Sequence, residues 1–254
     1  MNRTDELAQA LVQARRRGHA LDDAAWADAL PDAAAAYAVQ DAVATAFGWF
    51  ASDPVRAWKS GGPSRDAVLT HAALPPQGVR PGPADFGDMA FHELGIEAEI
   101  ALRLAVDVTP ERARAAAHAD VPQLVDAMAV AIEIVDSRWT RGAAAPALLR
   151  LADLQSHGAL VLGAWMPLQP SDWTAQRVEV RIGGAEPRTF IGTHSLGDPT
   201  WLVPAWLQHV TRDGAMAPAG TVVTTGTWCG LLPARKGDAV RVAFDGLVPV
   251  ETRL

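Results

Sequence analysis

Three glutamates and one lysine are the residues whose types and spacing could carry out chemistry together. Glu97 and Glu99 occur in the pattern Ile96-Glu97-Ala98-Glu99-Ile100. Side chains two residues apart in a strand point to the same face, so these two carboxylates would stand side by side. A Mg²⁺ or Mn²⁺ ion would neutralise their mutual repulsion, and both ions prefer oxygen ligands. For this pair alone, a solvated strand face is the alternative interpretation.

Glu133 lies inside a near-continuous apolar run over residues 127–135. Such a run predicts a strand buried on both faces, where an unpaired carboxylate costs free energy. A metal ion, or an ion pair with Arg138 or another base, would offset that cost. With Glu97 and Glu99, Glu133 would form a metal site on two strands that leaves positions open for a bidentate ligand.

Lys59 lies between Trp58 and a pair of glycines, Gly61 and Gly62. A lysine held against a pocket becomes a usable base when desolvation or nearby cations lower its pKa. A solvated surface lysine is the alternative interpretation.

Composition limits the classes of function. The 254 residues are 49% apolar and 20% charged with a net charge of −7, which indicates a globular protein and argues against a nucleic-acid partner. Cys229 is the single cysteine, so neither an intrachain disulfide nor a thiolate-rich metal site can form. We expect a cytoplasmic protein without a membrane partner, because no apolar run is long enough to span a bilayer and the N-terminus is unlike a signal peptide. The absence of a glycine-rich phosphate loop argues against a nucleotide cofactor.

The elements that must position these residues are two helices followed by a mostly β region. Leu7, Leu11 and Ala14 repeat at helical spacing before Gly18, and a second helix is predicted over residues 33–50. Short helices are predicted after Pro63, at Thr109 and over 201–210, and the proline-rich residues 75–83 are predicted to be a loop outside the central ladder. Strands are predicted over residues 55–58, 95–104, 127–135, 159–162, 178–182, 222–225 and 240–244.

This order predicts a mixed α+β fold with a curled or barrel-like sheet. Residues 1–52 would form an N-terminal helical segment, and residues 53–254 a mixed-β catalytic domain continuous with it.

The motifs, taken in order, resemble the fumarylacetoacetate hydrolase superfamily, in its 2-keto-4-pentenoate hydratase and 4-oxalocrotonate decarboxylase branch. They extend over almost the whole chain and comprise Trp58-Lys59-Ser60-Gly61, Asp85-Phe86-Gly87, Gly95-Ile96-Glu97-Ala98-Glu99-Ile100, Ala131-Ile132-Glu133-Ile134-Val135-Asp136-Ser137-Arg138, Gly158-Ala159-Leu160-Val161-Leu162-Gly163, Trp206-Leu207, Ala219-Gly220-Thr221-Val222-Val223-Thr224-Thr225-Gly226 and Lys236-Gly237-Asp238.

The resemblance implies the β-roll of the fumarylacetoacetate hydrolase C-terminal type, with Mg²⁺ or Mn²⁺ on Glu97, Glu99 and Glu133. It also implies that Lys59 lies near the substrate and that Asp85 is a further acid–base residue. A small 2-oxo acid would chelate the cation, which would stabilise an enolate while water is added to a 2-hydroxydienoate. The alternatives are a 2-oxo acid decarboxylase, an acylpyruvate hydrolase of the same superfamily, or a non-catalytic partner subunit. A homo-oligomer, or a complex with a pathway enzyme, is also expected from the resemblance.

Some segments depart from the branch or have a less certain role. Residues 86–96, between Asp85 and Glu97, form a shorter segment than the branch carries, and the loop after Lys59 lacks the usual isoleucine and threonine. The short segment contains His92-Glu93, which is either an acid–base dyad like that of the hydrolase members or an ordinary loop pair. The remaining candidates are Ser156 and His157 as contacts to substrate or water, and Thr225 and Gly226 as backbone donors to the substrate carboxylate or as a tight turn.

Overall fold

Helices α1 (Arg3–Arg17) and α2 (Ala33–Phe47) open the computed structural model, which describes residues 2–254. Each ends at a glycine with left-handed backbone, Gly18 at φ 61° and Gly48 at φ 64°. The predicted second helix, residues 33–50, is therefore too long, because Gly48 adopts the left-handed conformation that ends many helices.

Most of the remaining regular structure is β. The other helices are α3 (Pro110–Ala115), α4 (Val121–Leu124), α5 (Ala147–Ala152) and α6 (Val203–Val210). The strands are β1 (Ala57–Gly61), β2 (Thr70–Ala73), β3 (Val79–Pro81), β4 (Ala84–Asp85), β5 (Gly95–Leu104), β6 (Val125–Val135), β7 (His157–Leu162), β8 (Met166–Pro167), β9 (Arg177–Ile182), β10 (Arg188–Ile191), β11 (Val222–Thr224), β12 (Leu232–Pro233), β13 (Ala239–Phe244) and β14 (Val250–Arg253).

The strands form two sheets. Nine strands make the larger sheet, in the order β2-β1-β11-β5-β6-β7-β3, with β12 paired to β5 and β8 paired to β6. The smaller sheet has the order β10-β9-β13-β14-β4. Strands β5 and β6 form a long antiparallel pair at the centre of the larger sheet. The predicted mixed α+β fold with a curled sheet is confirmed.

Three local predictions between residues 55 and 83 need correction. The strand predicted over residues 55–58 begins at Ala57 and continues through Lys59 to Gly61. The helix predicted after Pro63 is wrong, because residues 62–69 form bends and turns that lead into β2. The proline-rich stretch 75–83 is not wholly loop, since β3 pairs with β7 at the edge of the sheet, where a proline is tolerated.

The two faces of β5 and β6 have opposite character. Ile96, Ala98 and Ile100 are fully buried on one face and belong to a core that also includes Val180 and Val242 of the smaller sheet. The alternation of strand side chains puts the three glutamates on the other face. Burial of the first face therefore fixes the register that presents the carboxylates.

The N-terminal helices pack against the segment that follows β6. Residues of α1 and α2, including Leu7, Leu11 and Val39, share a second core cluster with Trp139 and Leu149. The Trp139 indole donates a hydrogen bond to the Leu149 carbonyl at 2.9 Å. Among residues 2–254, every helix is too short or too polar to cross a bilayer.

Candidate metal centre and active site

The register of β5 and β6 brings the three glutamates together. Glu97 lies opposite Glu133, and Glu99 lies opposite Ala131. One carboxylate oxygen from each of the three glutamates lies within 4.8 Å of the others. Glu99 and Glu133 are buried, whereas Glu97 is half-buried at the accessible side of the cluster.

Burial and crowding change the proton affinities of two of these carboxylates. Burial, followed by the charge of Glu133, raises the pKa of Glu97 to about 7. Burial together with the charges of Glu133 and Glu97 raises the pKa of Glu99 to about 8. Three carboxylates and one nearby ammonium group, Lys59, leave an excess of negative charge that a dication would neutralise. An all-oxygen donor set of this kind fits Mg²⁺, which also retains water and substrate oxygens as ligands.

Lys59 forms an ion pair with Glu133. Its Nζ lies 2.6 and 2.7 Å from the two carboxylate oxygens, and 3.3 Å from the Gln155 carbonyl. Burial alone would lower the pKa of Lys59, but Glu133, Glu97 and Glu99 together raise it. In this arrangement the carboxylates raise the pKa of Lys59 instead of lowering it, which makes Lys59 a charged hydrogen-bond donor.

Among residues 2–254 the Glu133 carboxylate has two partners, Lys59 and His157, and Arg138 is not one of them. His157 Nδ1 lies 2.9 Å from Glu133 Oε1, beside the Lys59 ammonium. Although burial would raise the pKa of Glu133, Lys59 and His157 lower it. Arg138 instead binds Asp136 and Asp153, so the base that pairs with Glu133 is Lys59 and not Arg138.

The segment before β7 adopts an unusual backbone. Leu154, Gln155 and Ser156 have φ values of 53°, 55° and 60°, a left-handed conformation that non-glycine residues rarely adopt. This turn directs the Gln155 carbonyl to Lys59 and precedes His157. Ser156 Oγ and His157 Nε2 are buried without a hydrogen-bond partner among residues 2–254. The predicted contact residue His157 therefore lies at the glutamate cluster through Glu133, and Ser156 precedes it in the same turn.

Thr225 and Gly226 also lie at the cluster, but their polar groups bind protein atoms. The Thr225 hydroxyl donates to the Ile100 carbonyl at 2.8 Å. The Gly226 N–H donates to Glu99 Oε2 at 3.0 Å. Donation from this N–H to a substrate carboxylate remains a prediction, and in this structure the N–H holds a glutamate instead.

The remaining predicted site residues have other contacts. Asp85 is exposed on the smaller sheet, where its carboxylate accepts the Gly87 N–H at 2.8 Å. The backbone N–H groups of His92 and Glu93 both donate to Asp136 Oδ1, at 2.7 and 2.8 Å. Lys59, His157 and the Gly226 N–H therefore contact the glutamates directly, with Ser156 and Thr225 as their chain neighbours. Asp85, His92 and Glu93 have different partners.

Comparison with known proteins identifies the family. Residues 68–254 match the family model of the fumarylacetoacetate hydrolase C-terminal domain. The chain belongs to the fumarylacetoacetate hydrolase family. It is 33% identical over 157 residues to 2-keto-4-pentenoate hydratase 1 of Dechloromonas aromatica, an alignment that covers 60% of this chain and 57% of that relative. It is 28% identical over 183 residues to 2-keto-4-pentenoate hydratase of Paraburkholderia xenovorans, covering 66% of this chain and 65% of that protein.

A solved structure of similar fold covers almost the whole chain. It is 4-oxalocrotonate decarboxylase from Pseudomonas putida G7, complexed with magnesium and adipate. The TM-score is 0.83 at 21% sequence identity, over 98% of this chain and 96% of that chain. The same enzyme has also been solved complexed with calcium and acetate. At this identity the likeness establishes the fold, including the N-terminal helices that lie outside the family-model match.

Sequence reasoning missed a buried ionic network next to the site. Asp153 accepts hydrogen bonds from Arg138 Nε at 2.7 Å and from Arg15 Nη2 at 2.9 Å, while Arg138 also donates to the His157 carbonyl. The network ties helix α1 of this family member to the turn that carries His157. The sequence indicates Arg138 only as a partner for Glu133, and no local pattern indicates Asp153, because its partners are distant in sequence.

Proposed function

We propose that the chain is a divalent-cation-dependent lyase that adds water to a 2-hydroxydienoate or related small 2-oxo acid. The observation that carries this proposal is the cluster of Glu97, Glu99 and Glu133 with Lys59 as its neighbouring cation. The named hydratases support the substrate class, although the alignments span 57% and 65% of their respective lengths.

The three glutamates would hold Mg²⁺ or Mn²⁺ through their carboxylate oxygens. When bound, the cation would supply Lewis-acid polarisation of the carboxylate and carbonyl oxygens of a 2-oxo acid. Glu97 is half-buried and would face the incoming substrate, whereas Glu99 is held by the Gly226 N–H. Glu99 and Glu133 are held by hydrogen bonds, and Glu97 is more exposed. This arrangement suits a metal site that must also admit substrate.

Lys59 and His157 would differ in protonation state, with Lys59 charged and His157 neutral. Lys59 keeps its proton at Nζ because the surrounding carboxylates raise its pKa, so it is suited to donate a hydrogen bond to an enolate oxygen. Glu133 holds the ammonium through both oxygens, and the Gln155 carbonyl holds it from another side. Burial lowers the pKa of His157 more than Glu133 raises it, which favours a neutral imidazole beside Glu133.

Decarboxylation is the second candidate function. It is favoured by the similarity in fold to 4-oxalocrotonate decarboxylase over 98% of the chain. Both reactions require an enolate to be stabilised at the same atoms, so the same residues would serve either one. The acylpyruvate hydrolase alternative has less support, because His92 and Glu93 are anchored to Asp136 and the Glu93 carboxylate lies against Gly142. A non-catalytic partner subunit would have no need to keep three carboxylates crowded around one lysine.

An assay with and without Mg²⁺ and Mn²⁺ on a panel of 2-hydroxydienoates and 2-oxo acids tests the proposal. Loss of enol absorbance without release of CO₂ supports the hydratase, and CO₂ release supports the decarboxylase. Absence of turnover together with absence of metal binding would eliminate both. Glu133→Gln should lose metal affinity by calorimetry, with Glu186→Gln on an exposed turn as the matched control. Full metal affinity in Glu133→Gln would show that the ligand assignment is wrong.

A further inference from the structure

The loop that follows β10, residues 192–198, contacts both backbone segments that flank the glutamate cluster. Ser195 Oγ donates to the Gly62 carbonyl at 2.8 Å, in the segment just after Lys59. Arg65 Nε, from the same segment, donates to the Leu196 carbonyl at 2.6 Å. The smaller sheet thus supplies a loop that reaches the catalytic face of the larger one.

His194 is the residue of this loop that reaches the segment after β11. Its side chain is buried, with its ring centroid 5.0 Å from that of Trp228. Its Nε2 lies 2.8 Å from the Thr225 carbonyl oxygen. Because a carbonyl oxygen only accepts, Nε2 must carry the proton. Nδ1 is then an acceptor, and it is buried without a partner among residues 2–254.

The peptide unit that joins Thr225 to Gly226 is held at both ends. Its carbonyl accepts from His194, and its N–H donates to Glu99 Oε2 at 3.0 Å. Since the peptide unit is planar, fixing the direction of the carbonyl also fixes the direction of the N–H. A rotation of this unit would turn the carbonyl oxygen toward a carboxylate. Gly226, at φ 100°, gives the backbone the freedom to rotate unless something restrains it.

We propose that His194 is a positioning residue for Glu99, acting through the 225–226 peptide, and that it thereby sets the affinity of the glutamate cluster for a divalent cation. The effect on affinity rests on the proposed function, in which Glu99 is a ligand. The hydrogen-bond chain itself does not depend on any cation. Loss of a residue that orients a metal ligand through hydrogen bonds typically weakens metal affinity by about 10- to 100-fold.

The test compares variants that keep or remove the donor. His194→Phe keeps a ring beside Trp228 but has no N–H, whereas His194→Gln retains a side-chain N–H that can reach the carbonyl. Thr193→Val is the matched control, because it removes a different hydrogen bond of the same loop, from Thr193 to the Trp228 carbonyl. The readouts are Mn²⁺ affinity by calorimetry and hydrogen exchange of the Gly226 amide in metal-free protein.

We expect His194→Phe to weaken Mn²⁺ binding by about 10-fold or more and to accelerate exchange at Gly226. His194→Gln and Thr193→Val should remain close to wild type in both measurements. Wild-type affinity and wild-type exchange in His194→Phe would overturn the proposal. If wild-type protein binds no Mn²⁺, the proposed function fails instead, and the positioning role is decided by exchange at Gly226 alone.

A measurement on the unaltered protein covers the case in which His194→Phe does not fold. Nitrogen-detected NMR distinguishes the two neutral tautomers of a histidine, and His194→Gln assigns the signal by its disappearance. A proton on Nε2 is the result expected from donation to Thr225. A proton on Nδ1 would leave Nε2 unable to donate and would refute the proposal.

Discussion

Lys59 Nζ contacts both carboxylate oxygens of Glu133, although two strands, β11 and β5, lie between the strands that carry them. Three strand spacings amount to about 14 Å, and side chains stand roughly perpendicular to a sheet. On a flat sheet these two groups would not meet. The curl of the larger sheet therefore brings the ammonium onto the glutamates and closes the site around them.

Removal of the Lys59 charge should destabilise the metal-free protein. In Lys59→Met the three glutamates lose their shared cation, and breaking a buried ion pair costs about 3–5 kcal/mol. Added Mg²⁺ should return part of the lost stability, about 2.7 kcal/mol at a concentration 100 times its Kd. Denaturant unfolding with EDTA and with Mg²⁺ measures both effects. Lys236→Met, at an exposed position, is the control, and equal behaviour of the two variants would contradict this account.

Substitution of Gly192 should unfold the loop that carries His194. Gly192 has φ 61°, and a Cβ there would lie 2.1 Å from the Thr174 carbonyl oxygen, which is rigid backbone. Gly18 has the same φ, but no atom of the described residues, 2–254, lies within 4 Å of its Cβ position. We expect Gly192→Ala to lower the free energy of unfolding by about 3 kcal/mol or more, and Gly18→Ala by about 1 kcal/mol. If denaturant melts show that both variants lose the same free energy of unfolding, left-handed backbone strain alone accounts for both losses and the clash with Thr174 contributes nothing.

Strand periodicity was enough to predict the part of the site that lies on β5 and β6. Apolar residues alternate with Glu97 and Glu99, and Glu133 interrupts an apolar run, so burial of one face determines where the carboxylates point. The register that places Glu97 opposite Glu133 is consistent with this pattern. The carboxylate cluster was therefore accessible from sequence, whereas its occupancy by a metal ion remains a prediction.

The side chains that contact the glutamates could not be predicted from the sequence in the same way. The contact between Lys59 and Glu133 depends on sheet curl, and the contact between His157 and Glu133 depends on a left-handed turn of three non-glycine residues. His194 reaches Thr225 from the other sheet. No local pattern encodes these contacts, because each joins segments that are distant in sequence and is set by tertiary packing.

Acid should destabilise the fold through a pair of histidines outside the metal cluster, His71, which is buried, and His209, which is half-buried. Burial lowers the pKa of His71 to about 3, with His209 and Arg212 adding to the shift, and burial lowers the pKa of His209 to about 4. The unfolded chain, with a histidine pKa near 6.5, binds these protons more readily than the folded protein does. Stability is therefore fully present above about pH 6.5 and is lost as the pH falls toward the folded values.

The size of this effect can be isolated with His71→Asn. Asparagine retains an acceptor for the Ser60 hydroxyl, which now lies 2.9 Å from His71 Nδ1, but does not titrate. Each proton taken up only by the unfolded state costs about 1.4 kcal/mol per pH unit. Below pH 6.5 the unfolding free energy of wild type should therefore fall more steeply than that of the variant, by up to this slope. Parallel curves in denaturant titrations from pH 8 to pH 4.5 would refute the assignment.

Arg138 should matter more for stability than Arg15, the other arginine of the buried network. Arg138 binds Asp136 and Asp153 with its side chain 5% exposed, whereas Arg15, which binds the same Asp153, is 13% exposed. Arg138→Met would leave two buried carboxylates short of hydrogen bonds, at a cost of about 3–5 kcal/mol. Arg15→Met would leave Asp153 still paired with Arg138 and should cost less. Arg138 also donates to the His157 carbonyl, so we expect Arg138→Met to weaken Mn²⁺ binding. A loss of global stability alone would leave Mn²⁺ affinity unchanged at temperatures where the variant is folded. Calorimetric titration below the melting transition separates the two outcomes, and unchanged Mn²⁺ affinity in Arg138→Met would limit the network to a structural role.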